Sequence, residues 1–350
     1  MIGTSELKAA NRRLNERERA EAKARLASYP MQVQVEATNR CNLVCGTCAR
    51  NYYPKALNRI GDLNPRDYPE LETLFAHAER VLLGGYGEPL MGKHVKAILR
   101  LAAKHQCFIE IINNGTFLSE EWYALSAELP VGRYLFSVDG ASDKTMMQRR
   151  GVPLTQILTH VARLREVAPE VESTFNVTLS RHNIDEIPEL VRIAAEHGVR
   201  AVFVAHQKLY IRAQGGDSAL EEPERLRTAF DKAWTAARES GVDLHLPPTE
   251  GVHECMQPLE MMMIRRDGAA FACCSAMFGG GTHRIELGRL GEGDVLDLWN
   301  APAAINARRR ILGLPHGPGP CETCAFRIFT PEAMRRFLDG DEASKAALSG

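Results

Sequence analysis

The sequence predicts an α/β fold, in which parallel strands form a partial (β/α)6 barrel that is followed by a small cysteine-bearing domain. Short apolar segments alternate with amphipathic helical segments along residues 31–204, and this alternation is typical of parallel strands joined by right-handed crossovers. Polar and glycine-rich residues follow several of the apolar segments, where the chemistry of such barrels lies. A second group of cysteines after residue 249 indicates the additional domain.

Six strands and the helices between them can be placed from periodicity. The first strand lies around Val33 to Ala37, where apolar and polar residues alternate. The other five strands are predicted at residues 81–83, 108–112, 134–138, 174–179 and 201–204. The helices between them are predicted at residues 66–78, 94–105, 119–129, 154–167 and 187–197. Flanking elements are predicted as a charged helix over residues 5–28, a helix over 223–240 and a strand over 242–246.

The chain is predicted to divide into four segments. Residues 1–30 form a charged N-terminal helix, residues 31–248 the barrel, residues 249–330 the cysteine-bearing domain and residues 331–350 a tail. Pro247 and Pro248 mark the boundary between the barrel and the domain that follows it.

Composition limits the possible partners and the compartment. The 350 residues carry a formal net charge of −1, so no broad basic surface is expected to attract nucleic acid. The N-terminal residues lack the apolar core of a signal peptide, and no other segment is apolar enough to cross a membrane. We therefore expect a cytoplasmic protein without membrane contact. Nine cysteines in that compartment favour metal or redox chemistry over a disulfide framework.

Three cysteines, Cys41, Cys45 and Cys48, lie within eight positions directly after the first predicted strand. Three thiolates this close can hold one iron–sulfur cluster and leave one iron without a protein ligand. Such a vacancy is typical of catalytic metal sites, which keep a position open for substrate or cofactor. A zinc knuckle, a redox-active pair and three unrelated core cysteines remain as alternatives.

Motif residues follow the next three predicted strands. A glycine-rich turn, Gly84-Gly85-Tyr86-Gly87-Glu88-Pro89, comes after the second strand. Asn113-Asn114-Gly115-Thr116 follows the third strand, and the fourth ends in Ser137-Val138-Asp139-Gly140, with Arg150-Gly151 further along the chain. Because the carboxyl ends of parallel strands share one edge of a barrel, these groups are expected on the same face as the cysteines.

Together these residues resemble the signature of radical S-adenosyl-L-methionine (radical SAM) enzymes, which have a partial TIM-type barrel. The resemblance implies that Cys41, Cys45 and Cys48 hold a [4Fe-4S] cluster whose open iron is chelated by the amino and carboxylate groups of SAM. It also implies reductive cleavage of SAM to a 5′-deoxyadenosyl radical, which abstracts hydrogen from the substrate. Thr47 and Tyr86 depart from the family pattern, which usually has an aromatic residue and a glycine at these positions.

The resemblance also implies which residues contact SAM. Gly87 and Glu88 end the motif that holds the amino group, and Asn114 lies in the third-strand turn. Ser137 and Asp139 match the residues that contact the ribose or the carboxylate, and Arg150 matches an arginine for the carboxylate. A planar guanidinium suits that group.

The C-terminal cysteines form a second constellation. Cys255 and Cys273 bracket a predicted hairpin with an Asp-Gly turn at residues 267–268, and Cys321 and Cys324 form a late C-x-x-C pair. This arrangement resembles the SPASM and twitch extensions of radical SAM enzymes, in the shorter twitch form. The resemblance implies that the four thiolates hold one auxiliary [4Fe-4S] cluster with no open iron, which suits electron transfer. A closed structural zinc site is the alternative.

Similarity in layout to radical SAM enzymes of aminoglycoside biosynthesis implies the reaction that we expect. It is oxidation of an alcohol of a small-molecule substrate, an aminocyclitol or sugar, to a ketone, with the auxiliary cluster accepting an electron. A flavodoxin or ferredoxin is the expected reducing partner. The alternatives are an epimerase acting on a sugar or peptidyl residue through a cysteine hydrogen-atom donor, and a peptide or cofactor maturase. A peptide-binding module before the barrel is not recognisable, which speaks against a large peptide. An iron–sulfur electron carrier is the non-enzymatic alternative.

Several further residues are candidates without an assigned role. His206, Gln207, Lys208 and Tyr210 follow the sixth predicted strand, at the mouth where substrate should lie, although a surface loop would have the same polarity. Cys107 lies in an apolar strand context and is interpreted as a core thiol, and Cys274 as a spectator beside a ligand.

Overall fold

The computed structural model describes residues 4–51, 59–209, 212–273, 285–324 and 327–330. Its helices are α1 (Thr4–Ala20), α2 (Tyr68–His77), α3 (Val95–Lys104), α4 (Glu120–Glu128), α5 (Asp143–Arg150), α6 (Leu154–Val167), α7 (Ile187–Glu196), α8 (Pro223–Ser240), α9 (Gln257–Glu260), α10 (Val295–Trp299) and α11 (Pro302–Ile311). Its strands are β1 (Gln32–Val35), β2 (Arg80–Leu83), β3 (Phe108–Asn113), β4 (Val131–Ser137), β5 (Glu172–Leu179), β6 (Ala201–His206), β7 (Asp243–His245), β8 (Gly251–Val252), β9 (Met261–Ile264), β10 (Ala269–Phe271), β11 (Glu286–Arg289) and β12 (Ile328–Phe329).

The chain forms two compact units, and β3 begins in the first and ends in the second. The first unit comprises Met1–Arg40, Asn58–Glu110 and His253–Arg327. The second comprises Cys41–Leu57, Ile111–Val252 and Ile328–Gly350.

In the first unit, β1 is the central strand. It pairs in parallel with β2 on one side and with β9 on the other, and β10 and β11 continue the sheet with antiparallel pairing. Val33 and Val35 on β1 are fully buried, as are Met262 to Ile264 on β9. A strand that is hydrogen-bonded on both edges and buried by apolar side chains fixes the positions of the loops that leave its neighbours.

In the second unit, β4, β5, β6 and β7 form a parallel sheet in that order. Phe136, Phe175 and Val202 lie at 0% exposure, and the helices that follow these strands bury apolar faces such as that of Ile187, Leu190 and Val191 on α7. Parallel strands with intervening helices confirm the predicted α/β class, and the parallel sheet is typical of a partial barrel.

The N-terminal helix is shorter than predicted, and it is held by polar rather than apolar contacts. It ends at Ala20, and Ala22 adopts a positive φ of 51°. Asn15 donates to Ser28 Oγ at 3.1 Å and to the carbonyl of Leu259 at 3.0 Å, while the Glu18 carboxylate accepts the N–H groups of residues 27 and 28. Asn15 and Glu18 are both buried, so the helix docks through hydrogen bonds that an apolar periodicity cannot reveal.

Helix α5 is absent from the predicted elements because it lacks an apolar stripe. Of its residues the structure buries Met146 alone. Its ends are nevertheless well defined, since Ser142 accepts the N–H of Thr145 and Gly151 closes the helix with φ 78°. No described helix is both long and apolar enough to cross a membrane.

A fully buried arginine fastens the C-terminal helices of the first unit. Arg308 on α11 donates to the carbonyls of Pro258 at 2.7 Å, Trp299 at 2.7 Å and Ala24 at 3.2 Å. Its guanidinium also stacks over the Trp299 ring at 4.1 Å. Burial lowers the pKa of Arg308 to about 9. One side chain thus satisfies backbone acceptors from three separate segments.

We expect Arg308→Leu to lower the free energy of unfolding by more than about 3 kcal/mol, because several buried carbonyls lose their donors together. Arg309→Leu, on an exposed neighbour in the same helix, is the matched control and should change stability by less than about 1 kcal/mol. Equilibrium urea denaturation of both variants tests this. Equal effects of the two substitutions would contradict the role given to Arg308.

Candidate functional site

The first three predicted ligands, Cys41, Cys45 and Cys48, lie in one loop of the second unit. All three are partly exposed and none forms a disulfide. The N–H of Cys48 bonds to the carbonyl of Cys45 at 3.0 Å, and Asn51 donates to the same carbonyl at 2.6 Å. The C-x-x-C half of the motif is therefore a closed turn, which presents two thiols from neighbouring positions.

Asn114 supports the first cysteine. Its Nδ2 lies 3.7 Å from Cys41 Sγ and donates to Asn42 Oδ1 at 3.0 Å. Asn42 in turn donates to Thr116 Oγ1 at 2.8 Å, so two residues of the predicted third-strand turn contact the cysteine loop. Gly115 between them has φ 70°, and a Cβ there would lie 2.6 Å from Ile157. This turn therefore requires glycine both for its backbone conformation and for its packing.

Asp139 and Arg150 bind each other beside the cysteine loop. Arg150 Nη1 donates to Asp139 Oδ2 at 2.7 Å, and Asp139 Oδ1 accepts the N–H of Thr178 at 2.7 Å. The Asp139 side chain is fully buried. The carbonyl of Arg150 accepts from Cys45 Sγ at 3.7 Å. Both residues were expected to contact SAM. In the structure they form an ion pair with each other beside the cysteine loop.

The charge of Arg150 acts on the nearby thiols. Burial opposes that charge, but Asp139 and Cys45 together raise the pKa of the guanidinium above its usual value. Burial raises the pKa of the Cys45 thiol, and Arg150 acts in the opposite direction. Arg150, whose side chain is 14% exposed, favours the thiolate forms of Cys45 and Cys48, and thiolates are the forms that bind iron. Ser137, at the end of β4, is buried and pairs with Asn176 of β5 in the sheet register.

Gly87 and Glu88 lie in the first unit, against the segment that leaves β1. A Cβ on Gly87 would lie 2.3 Å from the carbonyl oxygen of Thr38, so no other residue fits without displacing backbone. The N–H of Glu88 bonds to the carbonyl of Arg40 at 2.7 Å, and its buried carboxylate accepts the N–H of Leu90 at 3.2 Å. The glycine-rich loop thus contacts the residues that directly precede Cys41 in sequence.

The second constellation, Cys255, Cys273, Cys321 and Cys324, lines one pocket of the first unit. Apolar residues such as Pro258 and Ile285 surround it, together with Arg310 and Arg327. Burial and the three neighbouring thiols raise the pKa of Cys321 to about 11. Four thiolates in one pocket repel one another, and the positive charge of a bound iron–sulfur core would offset this repulsion. The donor set therefore fits an iron–sulfur cluster. Cys274 lies outside the described residues.

The spacing of these side chains distinguishes a cluster from a single ion. Among the described residues, no three His, Cys, Asp or Glu side chains come close enough together to hold one metal ion. Ligands of one zinc ion all lie within about 2.3 Å of it, whereas cluster ligands each bind a different iron.

The polar residues at the end of β6 are buried. His206 Nε2 lies 2.8 Å from the carbonyl of Pro248, and its Nδ1 has no hydrogen-bond partner among the described residues. Burial lowers the pKa of His206 to about 4. Within the same described part of the chain, neither amide atom of Gln207 has a partner. Tyr210 lies outside the described residues.

Cys107 is buried, as predicted. It lies in the first unit, where its Sγ is 3.2 Å from Lys8 Nζ and 3.3 Å from the carbonyl of Phe75. Burial raises the pKa of this thiol. The contact with Lys8 could not be predicted from the sequence, because charged residues in an N-terminal helix usually face solvent.

Comparison with known families identifies two domains. Residues 35–203 match the Radical SAM superfamily model, and residues 255–325 match the SPASM model, an iron–sulfur cluster-binding domain. These domains imply a [4Fe-4S] cluster, an auxiliary cluster and SAM, in agreement with the cofactors expected from the cysteines.

Individual relatives are more distant. A tungsten-containing aldehyde ferredoxin oxidoreductase cofactor-modifying protein of Pyrococcus furiosus is 26% identical, over 68% of this chain and 69% of its own. A PqqA peptide cyclase of Xanthomonas oryzae pv. oryzae is 24% identical, over 86% and 82%. The crystal structure of Streptococcus suis SuiB bound to precursor peptide SuiA has a TM-score of 0.67 at 16% identity, covering 93% and 80%. The last similarity establishes the fold.

The lowered pKa of His206 predicts a pH dependence of stability. The folded state holds this imidazole neutral down to about pH 4, whereas the unfolded chain protonates it near 6.5. Its contribution to stability is therefore fully present above pH 6.5 and is lost as pH falls towards 4, by up to about 3 kcal/mol.

Urea denaturation of the wild type and of His206→Gln between pH 7.5 and 4.5 measures this loss. The variant should lose less stability than the wild type over that range. Gln207→Leu, which changes an adjacent buried residue without a titrating group, should keep the wild-type pH dependence. Parallel curves for the wild type and His206→Gln would contradict the prediction.

Proposed function

We propose that this chain, which carries a radical SAM domain followed by an SPASM domain, is a maturase that modifies a peptide by radical chemistry. With its cofactors bound, such a site supplies a 5′-deoxyadenosyl radical that abstracts hydrogen from the substrate. The observation that carries the proposal is the convergence of Cys41, Cys45 and Cys48 with Asn114 and the Asp139–Arg150 pair in one unit. These residues would hold the SAM-binding cluster.

The proposed roles follow from the contacts. The three cysteines would supply thiolates, and Arg150 would favour the deprotonated forms of Cys45 and Cys48 through its charge. Asp139 would hold that guanidinium in place, since its own carboxylate is fixed by the Thr178 N–H. Gly87 and Glu88 would contact the SAM amino group, and Ser137 its ribose or carboxylate.

Relatives support the peptide class of substrate. The PqqA peptide cyclase aligns over most of both chains, and the SuiB structure contains a precursor peptide. The expected aminocyclitol or sugar has weaker support, because the structure of BtrN in complex with AdoMet and 2-DOIA reaches a TM-score of only 0.48. The maturase alternative is therefore preferred to alcohol oxidation.

Burial of Cys107 bears on the epimerase alternative. An epimerase needs a hydrogen-atom donor that reaches the substrate, and the Cys107 thiol is 2% exposed and hydrogen-bonded to Lys8. This contact disfavours Cys107 as the donor. The four-thiol pocket would instead take an electron from the substrate, and a flavodoxin or ferredoxin would reduce the first cluster.

Iron content tests the two cluster sites. Anaerobically reconstituted protein should bind about eight iron atoms per chain, and replacing either set of cysteines by alanine should leave about four. Cys107→Ala is the control and should retain about eight. A wild-type value near four accompanied by one zinc would contradict an auxiliary cluster in the SPASM domain.

Formation of 5′-deoxyadenosine tests the radical chemistry. Dithionite-reduced wild-type protein should release it from SAM, and the Cys41, Cys45 and Cys48 to alanine variant should not, because no cluster remains to reduce SAM. Cys107→Ala should keep the wild-type rate. Absence of the product from wild-type protein with a full iron load and bound SAM would favour the electron-carrier alternative.

Deuterium transfer distinguishes the substrate classes. Perdeuterated peptides and perdeuterated aminocyclitols or sugars are incubated separately with enzyme, SAM and dithionite. A peptide substrate should transfer deuterium to 5′-deoxyadenosine and change in mass, because its hydrogen is abstracted directly. Deuterium transfer from an aminocyclitol alone would overturn the maturase proposal and support the dehydrogenase.

A further inference from the structure

A buried carboxylate in the first unit has no role in the site described so far. Glu36 directly follows β1, is 1% exposed, and continues the pairing with β9 through its N–H to the carbonyl of Ile264 at 2.8 Å. Its Oε1 accepts the N–H of Tyr86 at 2.9 Å, and its Oε2 accepts the N–H of Arg266 at 3.2 Å. Each oxygen therefore binds the backbone of a different loop.

The first of these loops is the glycine-rich loop, residues 84–88. A Cβ on Gly85 would lie 2.6 Å from Glu36 Cγ and 2.9 Å from Glu36 Oε1. Glycine at this position is thus required by the close approach of the Glu36 side chain. The sequence motif alone would assign that glycine to the ligand.

Tyr86 provides a second attachment, and it occupies the position where the family motif has glycine. Its side chain packs against Met263, Ala269 and Phe271, which are fully buried. These residues belong to the β9–β10 hairpin, whose turn contains Arg266. The glycine-rich loop therefore contacts the hairpin through a backbone–carboxylate bridge and through a side chain.

The remaining contacts of the loop are made to β1 and the residues that follow it. The N–H of Gly84 bonds to the carbonyl of Val35 at 3.1 Å, and Gln34 Nε2 donates to the Gly84 carbonyl at 3.1 Å. The bond from the Glu88 N–H to the Arg40 carbonyl holds the other end of the loop, so both ends are hydrogen-bonded to this segment. Glu36 is the residue that extends this attachment to the hairpin.

A carboxyl group suits this position because each of its two oxygens accepts a hydrogen bond from a different loop. Burial raises the pKa of Glu36, while the two N–H groups and the Arg266 and Arg265 charges lower it. Burying a charge is unfavourable unless it is hydrogen-bonded. A glutamine would present one acceptor and one donor, so one backbone N–H would lose its partner.

We infer that Glu36 is a positioning residue that locks the glycine-rich loop to the β9–β10 hairpin. Strand β10 ends two residues before Cys273, so Glu36 couples the loop that would hold SAM to the hairpin that precedes a proposed ligand of the auxiliary cluster. The part of this inference that concerns SAM rests on the proposed function. The coupling itself rests on the contacts of Glu36 and Tyr86 alone.

Hydrogen exchange of anaerobically reconstituted full-length protein tests the coupling. Glu36→Gln should speed exchange about tenfold in peptides containing Tyr86 and, equally, in those containing Arg266, because loss of one acceptor site loosens both segments. Glu110→Gln is the matched control, since Glu110 is a buried carboxylate of the same unit that pairs with Arg80. It should leave both segments protected.

Tyr86→Gly is the second variant. It keeps the Glu36 carboxylate, and it tests the coupling if Glu36→Gln does not fold. It should also speed exchange in the β9–β10 hairpin, because the hairpin loses the packed ring. Faster exchange in the glycine-rich loop with an unchanged hairpin, in either folded variant, would overturn the coupling.

Steady-state kinetics test the effect on SAM. In Glu36→Gln the KM for SAM should rise about tenfold while kcat for 5′-deoxyadenosine formation changes less than threefold, and Glu110→Gln should change neither. A lower melting temperature with an unchanged KM would show a purely structural residue and overturn the positioning role. If wild-type protein forms no 5′-deoxyadenosine, the proposed function fails, and the exchange experiment still decides the coupling.

Discussion

The double-sided hydrogen bonding of β1 is the constraint on which the first unit depends. β2 and β9 pair with it in parallel over the same four residues, so the loops that leave both neighbours emerge beside the end of β1. The residues that follow the strand make hydrogen bonds to other segments: Glu36 with Tyr86, Thr38 with Gly61 and Arg40 with Glu88. A shift in this strand would move the glycine-rich loop and the β9–β10 hairpin together, and the chain continues from Arg40 directly into the cysteine loop.

Several buried polar side chains in both units each make hydrogen bonds to more than one partner. Asp139 binds a guanidinium and a backbone N–H, and Asn183 donates to the carbonyls of Asp139 and Thr178. Arg308 serves several carbonyls in the same way. Such groups are unfavourable to bury singly, but when all their bonds are made they specify one arrangement of the segments that they join.

The two sets of thiols place different demands on the chain. Cys41, Cys45 and Cys48 come from one short loop, so local turn geometry brings them together, and distant residues such as Asn114 and Arg150 only brace that loop. Cys255, Cys273 and the Cys321–Cys324 pair come from three separate segments, which meet in one pocket of the folded first unit. We therefore expect the second site to depend more strongly on the integrity of the fold than the first.

Local patterns in the sequence determined the alternation of strands and helices, the cysteine spacings and the strand-end motifs, because each of these is set by neighbours along the chain. Helix α5 was not predictable, since its residues lack an apolar period, and α1 was predicted too long because its buried face is polar. Only the tertiary structure could pair Asp139 with Arg150, place Tyr86 on the β9–β10 hairpin and give Glu36 two loops to hold. These contacts join residues that are 11 to 230 positions apart in sequence, and the packing of the folded chain rather than a local pattern decides which of them meet.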